Sequence, residues 1–185
     1  MTRRFAGIKA AILLAEGFEE LEFYVPMMRL QEEGAEIIVA GDQETHTYNG
    51  KNGLSARSDV IFASLDPASL DVLIIPGGWA PDKLRRYQVV KDFTREMYLA
   101  GKIVAMICHA GWVGVSADIV RGHEATGSEG IKDDLINAGA TWRDEPAFTS
   151  KNIVWGRVVA DIPDFCRELV SAIDQYQKKL TSGSR

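Results

Sequence analysis

KIVAMICHAGWVG, residues 102–114, decides the architecture. Ile103–Ile107 is an unbroken apolar run. A strand that is apolar at every position is covered on both faces, as in a parallel sheet between helices. The run ends on Cys108-His109, and the chain continues into Ala110, Gly111 and Trp112. A thiol at the carboxyl end of a buried strand, on the turn into a helix, reads as a nucleophile elbow with Cys in place of Ser. The N–H groups of the following helix are expected to hold a thiolate and to lower the thiol pKa from about 8.5.

The same alternation extends outward on both sides. Ile8–Leu14, Glu36–Ala40 and Val72–Ile75 read as further strands. Leu21–Glu33, with Pro26 near its first turn, and Gln88–Ala100 read as helices. Val89, Val90, Phe93, Met97 and Ala100 are expected on the inner face of the latter. Residues 42–66 read as a hairpin-like excursion around Tyr48, Asn49-Gly50 and Asn52-Gly53. Beyond the elbow, Glu124–Gly127, Ala140–Asp144 and Asn152–Arg157 read as extended and Ile131–Ala138 as helical. A last helix begins near Asp161, with Phe165, Leu169, Ile173, Tyr176 and Leu180 forming a docking stripe. The fold class is α/β: a three-layer sandwich with a mostly parallel, flavodoxin-like central sheet. One domain spans residues 1–185, with 183–185 read as a flexible tail.

Net charge is −5 and pI near 5.3, which disfavours nucleic acid and anionic membrane surfaces as partners. No apolar run approaches the roughly 20 residues of a membrane span. Arg3-Arg4 and Lys178-Lys179 read as solvated ends. Two cysteines, Cys108 and Cys166, make no disulfide framework and suit a reducing cytoplasm. Cys166, within the last helix, reads as structural. His46 and His123 read as surface residues, and no metal site is expected.

Two other stretches end strands on the elbow's edge. AEGFEELE, 15–22, carries four carboxylates. Glu19 directly follows Phe18 at the turn and is expected to point at the sulfur; Glu20 and Glu22 read as a solvated helix start. PGGWAPDKLR, 76–85, places two glycines where backbone N–H groups could form an oxyanion hole.

With FEELE (18–22), PGGWAPDKLR (76–85), ICH (107–109), GIKDDLINAGATWRDE (130–145) and ADIPDF (160–165), the chain resembles the ThiJ/PfpI family of class I glutamine amidotransferase-like fold, in its intracellular protease or deglycase branch. The resemblance implies that Cys108 is the nucleophile, Glu19 a buried protonated carboxyl on the sulfur, and His109 the adjacent imidazole. It implies an oxyanion site from Gly78 and the His109 N–H. Asp82 falls where these proteins place a Glu that reaches the imidazole from a neighbouring subunit, which implies a homo-oligomer. The usual Cys-His-Gly-Pro is replaced by Cys108-His109-Ala110-Gly111-Trp112. Ser128 stands where Tyr is common, and Val159 replaces a frequent Pro. Trp112 and Ser128 therefore read as a remodelled pocket wall.

The implied activity is that of a cytoplasmic, cofactor-free hydrolase, glyoxalase or deglycase acting on a small aldehyde, glycated adduct or peptide. The alternative is a non-catalytic stress or chaperone-like protein in which Cys108 oxidises to sulfinate. A glutaminase-like amidotransferase is disfavoured, because there the His and Glu follow much later in the chain.

Overall fold

The computed structural model describes residues 3–182, so the tail expected at 183–185 lies outside the described residues. Its strands are β1 (Lys9–Leu13), β2 (Glu36–Gly41), β3 (Thr47–Asn49), β4 (Ser55–Arg57), β5 (Val60–Ile61), β6 (Val72–Ile75), β7 (Ile103–Ile107), β8 (Glu124–Ala125), β9 (Thr141–Trp142), β10 (Ala147–Ser150) and β11 (Ile153–Gly156). Its α-helices are α1 (Glu20–Glu32), α2 (Ala80–Leu84), α3 (Gln88–Leu99), α4 (Gly111–Ser116), α5 (Lys132–Asn137) and α6 (Ile162–Ser182).

Seven strands form the central sheet in the order β10-β11-β7-β6-β1-β2-β5. The five inner ones run parallel with the flavodoxin-like sequence, and only β10 is antiparallel, paired with β11. Every residue of β6, β7 and β11 is buried, which is what their continuous apolar character requires. Helices α1 and α6 pack together on one side. Helices α3 and α4 contact β6 and β7 and meet α2 and α5 through α4. Phe165, Leu169 and Ile173 of α6 are buried, each contributing about 1.5–3 kcal/mol of apolar burial.

Several local expectations are corrected. Pro26 lies in the second turn of α1, where it forgoes the bond to the Glu22 carbonyl. On α3, Thr94 is buried and Val89 and Ala100 are exposed, because the inner face is the narrower stripe of Val90, Phe93 and Met97. Leu180, in the last turn of α6, is half exposed. Arg4 is not a free tail residue: its guanidinium pairs with Asp174 of α6. β8 and β9 form a separate two-stranded ladder. β10, with Thr149 and Ser150, lacks an apolar pattern because it is an edge strand.

The excursion is the expected hairpin, β3 against β4. It is held to the strand-end loops that matter most. The loop after β1 and the loop after β6 meet at an isolated bridge between Phe18 and Gly78. Glu19 N–H donates to the Gly77 carbonyl (3.2 Å) and Trp79 N–H to that of Gly17 (2.7 Å). Gly78 has φ +77°, and a Cβ there would lie 2.5 Å from the Gly17 oxygen and 2.6 Å from the Glu19 nitrogen. Both neighbours are backbone and cannot swing away.

Gly78→Ala should therefore destabilise the protein by more than the about 1–2 kcal/mol of a left-handed alanine alone. Gly101→Ala has a similar φ of +72° but open space around it, and should show only that smaller cost. Urea denaturation of the two variants checks the difference.

Candidate active site

Cys108 sits at the end of β7 with φ +61°. A non-glycine residue in this region is strained, and the strain lifts the side chain off the sheet at the strand-to-helix turn. A single 3₁₀ turn, Cys108–Ala110, leads into α4. The thiol is half-buried, with Sγ 3.2 Å from His109 Nδ1. The strained turn thus brings adjacent side chains together, which a regular strand or helix would not. The backbone N–H groups of Gly78 and His109 both act to favour charge on the sulfur, as expected of the oxyanion pair.

The carboxyl on the sulfur is Glu22, not Glu19. Glu19 is the N-cap of α1 and accepts from the Glu22 N–H at 2.8 Å. A glutamate at the third helical position often reaches back to the N-cap N–H. Here that N–H is engaged by Gly77 O, and the Glu22 side chain turns inward. Its Oε2 accepts from Gly77 N–H at 2.7 Å, and the carboxyl adjoins the Cys108 thiol. Glu22 is fully buried and its Oε1 accepts from no N–H or O–H group. Only glycine fits between them: a Cβ on Gly77 would lie 2.5 Å from Glu22 Oε2 and 2.7 Å from Cys108 Cβ. The i, i+3 spacing of two glutamates at a helix start was the available signal, because it puts one at the cap and the other on the inward face.

The electrostatics differ from the expected dipole-stabilised thiolate. Burial first, then the Glu22 charge, pushes the Cys108 thiol up to about 12; the Gly78 and His109 N–H groups act against this. Burial raises Glu22 to about 7. A six-residue helix does not offset the desolvation. The two acids share one site and ionise as a pair: with a proton on Glu22 the opposing charge is gone, and the carboxyl becomes a hydrogen-bond donor to sulfur. Burial, then the Lys51 charge, lowers the His109 pKa, keeping the imidazole neutral and able to accept a proton.

Trp112 stacks obliquely on His109, ring centroids 5.3 Å apart, and donates from Nε1 to Asp134 at 2.6 Å. Ser128 is half-buried, and its N–H donates to the Cys108 carbonyl at 3.1 Å. Its hydroxyl and His109 Nε2 both face Gly130. Asp82 is not at the thiol of its own chain; it is half exposed on α2 and pairs with Arg86 one turn on. No carboxylate among the described residues hydrogen-bonds His109. His46 is exposed, as expected, but His123 is buried between Tyr98 Oη (2.7 Å) and Ser150 Oγ (3.1 Å). Cys166 is buried in α6, and burial raises its thiol to about 11.

Fold and site together define an α/β protein with a nucleophile-elbow cysteine beside a buried carboxyl. The family model described as DJ-1/PfpI family matches residues 8–172, and the chain belongs to that family. It is 39% identical over 166 residues to a protein named a deglycase from Pyrococcus horikoshii, covering 90% of this chain and 99% of that one. It is 32% identical over 165 residues to the putative cysteine protease YraA of Bacillus subtilis, covering 89% and 98%. A two-domain protein with DJ-1/ThiJ/PfpI-like and ferritin-like domains from Anabaena variabilis superposes with a TM-score of 0.88 at 35% identity, over 90% of this chain and 48% of that one.

Two predictions separate the glutamates. Glu22→Leu removes the charge that opposes the thiolate and should speed Cys108 alkylation at pH 7 at least about threefold. Glu19→Gln, whose amide oxygen still caps α1, should change it less than twofold, as read by iodoacetamide kinetics. Glu22 binds its proton more tightly folded (about 7) than unfolded (4.5). The folded state therefore loses stability as pH rises from 4.5 to 7, by about 3 kcal/mol at the limit. Urea denaturation at pH 4.5 and 8 should show this loss in the wild type and its disappearance in Glu22→Gln.

Proposed function

We propose that this protein is a cysteine-dependent enzyme in which Cys108 attacks the carbonyl of a small aldehyde, a glycated adduct or a peptide. The observation that carries the reading is the buried Glu22 carboxyl beside the thiol, with the Gly78 and His109 N–H groups favouring charge on the same sulfur. The names of the relatives, deglycase and putative cysteine protease, support the same class of chemistry.

The geometry suggests this sequence of events. Neutral His109 accepts the thiol proton at Nδ1, and Sγ forms a bond to the carbonyl carbon. The carbonyl π pair moves to oxygen, where the two backbone N–H groups hold the developing charge. With an aldehyde, the alkoxide takes a proton from Glu22 to give a hemithioacetal. With an amide, the C–N bond breaks as His109 returns the proton to the amine, and water then hydrolyses the thioester. In an assembly of several copies, Asp82 of a second copy supplies the carboxylate that His109 lacks within its own chain. The free thiols fit the reducing cytoplasm.

Cys108→Ser should remove at least 99% of methylglyoxal or peptide turnover while leaving the fold unchanged by circular dichroism; unchanged turnover would eliminate the nucleophile. Mixing Asp82→Ala with Cys108→Ser protein should restore part of the activity if the site is shared between copies.

A second reading rests on the same Glu22. A protonated carboxyl would stabilise Cys108 oxidised to sulfinate, as in a redox-responsive stress protein. Mild peroxide should then halt oxidation at the two-oxygen state by mass spectrometry in the wild type, and run past it in Glu22→Leu.

A further inference from the structure

The turn between β3 and β4 is built into the site. Lys51 N–H donates to the Phe18 carbonyl at 3.0 Å, and Phe18 is the bridge partner of Gly78. Gly17 N–H donates to Asn49 O at 2.8 Å. Two carboxylates from the β1–α1 loop clamp the same turn. Glu16 accepts from Asn49 N at 3.0 Å and Nδ2 at 3.2 Å. Glu20 accepts from Asn52 N at 2.6 Å, Asn52 Nδ2 at 2.8 Å and Leu54 N at 3.3 Å.

All four carboxylates of AEGFEELE are thereby occupied: Glu16 and Glu20 on turn amides, Glu19 at the helix cap and Glu22 at the sulfur. None forms an ion pair with Lys51. Lys51 is exposed, and no carboxylate among the described residues lies within ion-pair distance of its ammonium. The backbone of this cation is pinned beside the oxyanion donors, and its charge acts on both Glu22 and His109. An exposed lysine kept free of local acids, on a turn fastened to the loop that leads into α1 and Glu22, is arranged to meet a negative group that arrives with the ligand.

We propose that Lys51 selects carbonyl compounds that carry a carboxylate close to the electrophilic carbon, over neutral carbonyls of the same size. This deepens the reading of Cys108 as a carbonyl-directed nucleophile and rests on it. The carboxylate binds the ammonium while the aldehyde or ketone carbon lies against Sγ, so an oxo acid is preferred to a neutral dicarbonyl.

The test uses Cys108 itself and does not depend on turnover. Iodoacetate and iodoacetamide alkylate the same sulfur with loss of iodide and differ in the carboxylate. The ratio of their rate constants, followed by mass spectrometry at Cys108, measures anion attraction at the thiol. Lys51→Gln should lower the iodoacetate-to-iodoacetamide ratio about three- to tenfold, as expected for one charge acting across a few ångströms of partly screened space. Lys51→Arg should keep it, and 0.5 M salt should narrow the wild-type value. A variant that altered only thiol ionisation would move both rates together; an unchanged ratio overturns the proposal. The substrate arm compares the concentrations of glyoxylate and methylglyoxal that half-protect Cys108 from iodoacetamide, since the thiol S–H adds reversibly across either aldehyde carbonyl to give a hemithioacetal. A wild-type preference for glyoxylate that Lys51→Gln abolishes supports the substrate class; a fallen alkylation ratio with no such preference overturns it. Protection by neither compound, with the ratio still lowered, overturns the reading of Cys108 as a carbonyl-directed nucleophile and leaves Lys51 as the anion-attracting group.

Discussion

The site depends on how closely three backbone segments approach one another at the carboxyl edge of the sheet. β1, β6 and β7 are neighbours, so the loops that follow them emerge side by side. Gly77 and Gly78 allow the middle loop to touch both others. One glycine passes between Glu22 and Cys108, and the other bridges Phe18 and presents its N–H to the sulfur. Side chains at these positions would separate carboxyl, thiol and oxyanion donors by a methyl group or more. The strained backbone of Cys108 is tolerated because the buried strand before it and the turns packed on either side leave it no alternative.

That packing also sets the protonation chemistry. Burial disfavours charge on both Glu22 and Cys108, and placing them together makes the first negative charge a property of the pair. A carboxyl that ionises near 7 remains a proton donor at neutral pH, where an exposed glutamate would be wholly ionised. The imidazole beside it is held neutral by the same desolvation, so acceptor and donor both adjoin one sulfur. The acidic run at residues 15–22 looks redundant in one dimension, yet each carboxylate has a separate task. Two fasten the hairpin, one caps α1, and one enters the core.

The hairpin shows how an excursion from the sheet becomes part of the site. Its turn has no apolar core of its own and is ordered by hydrogen bonds to the β1–α1 loop. Those bonds consume the acidic groups that would otherwise neutralise Lys51. The placement of one cation thus follows from the placement of four anions.

The sequence by itself determined the parallel sheet, because residues buried on both faces leave unbroken apolar runs such as Ile103–Ile107. It determined the elbow too, because a reactive residue type stands where such a run stops, and the match to FEELE, PGG and ICH identified the family. Tertiary structure decided which glutamate meets the thiol. Glu19 and Glu22 are equally plausible in a string of letters, and the choice turns on where α1 begins and on Gly77 O engaging the Glu19 N–H. It likewise buried His123 and pinned the Lys51 backbone to the β1–α1 loop, since both outcomes arise from contacts between segments 25 or more residues apart. Local patterns encode which face of an element is apolar. They do not encode which loop it will meet.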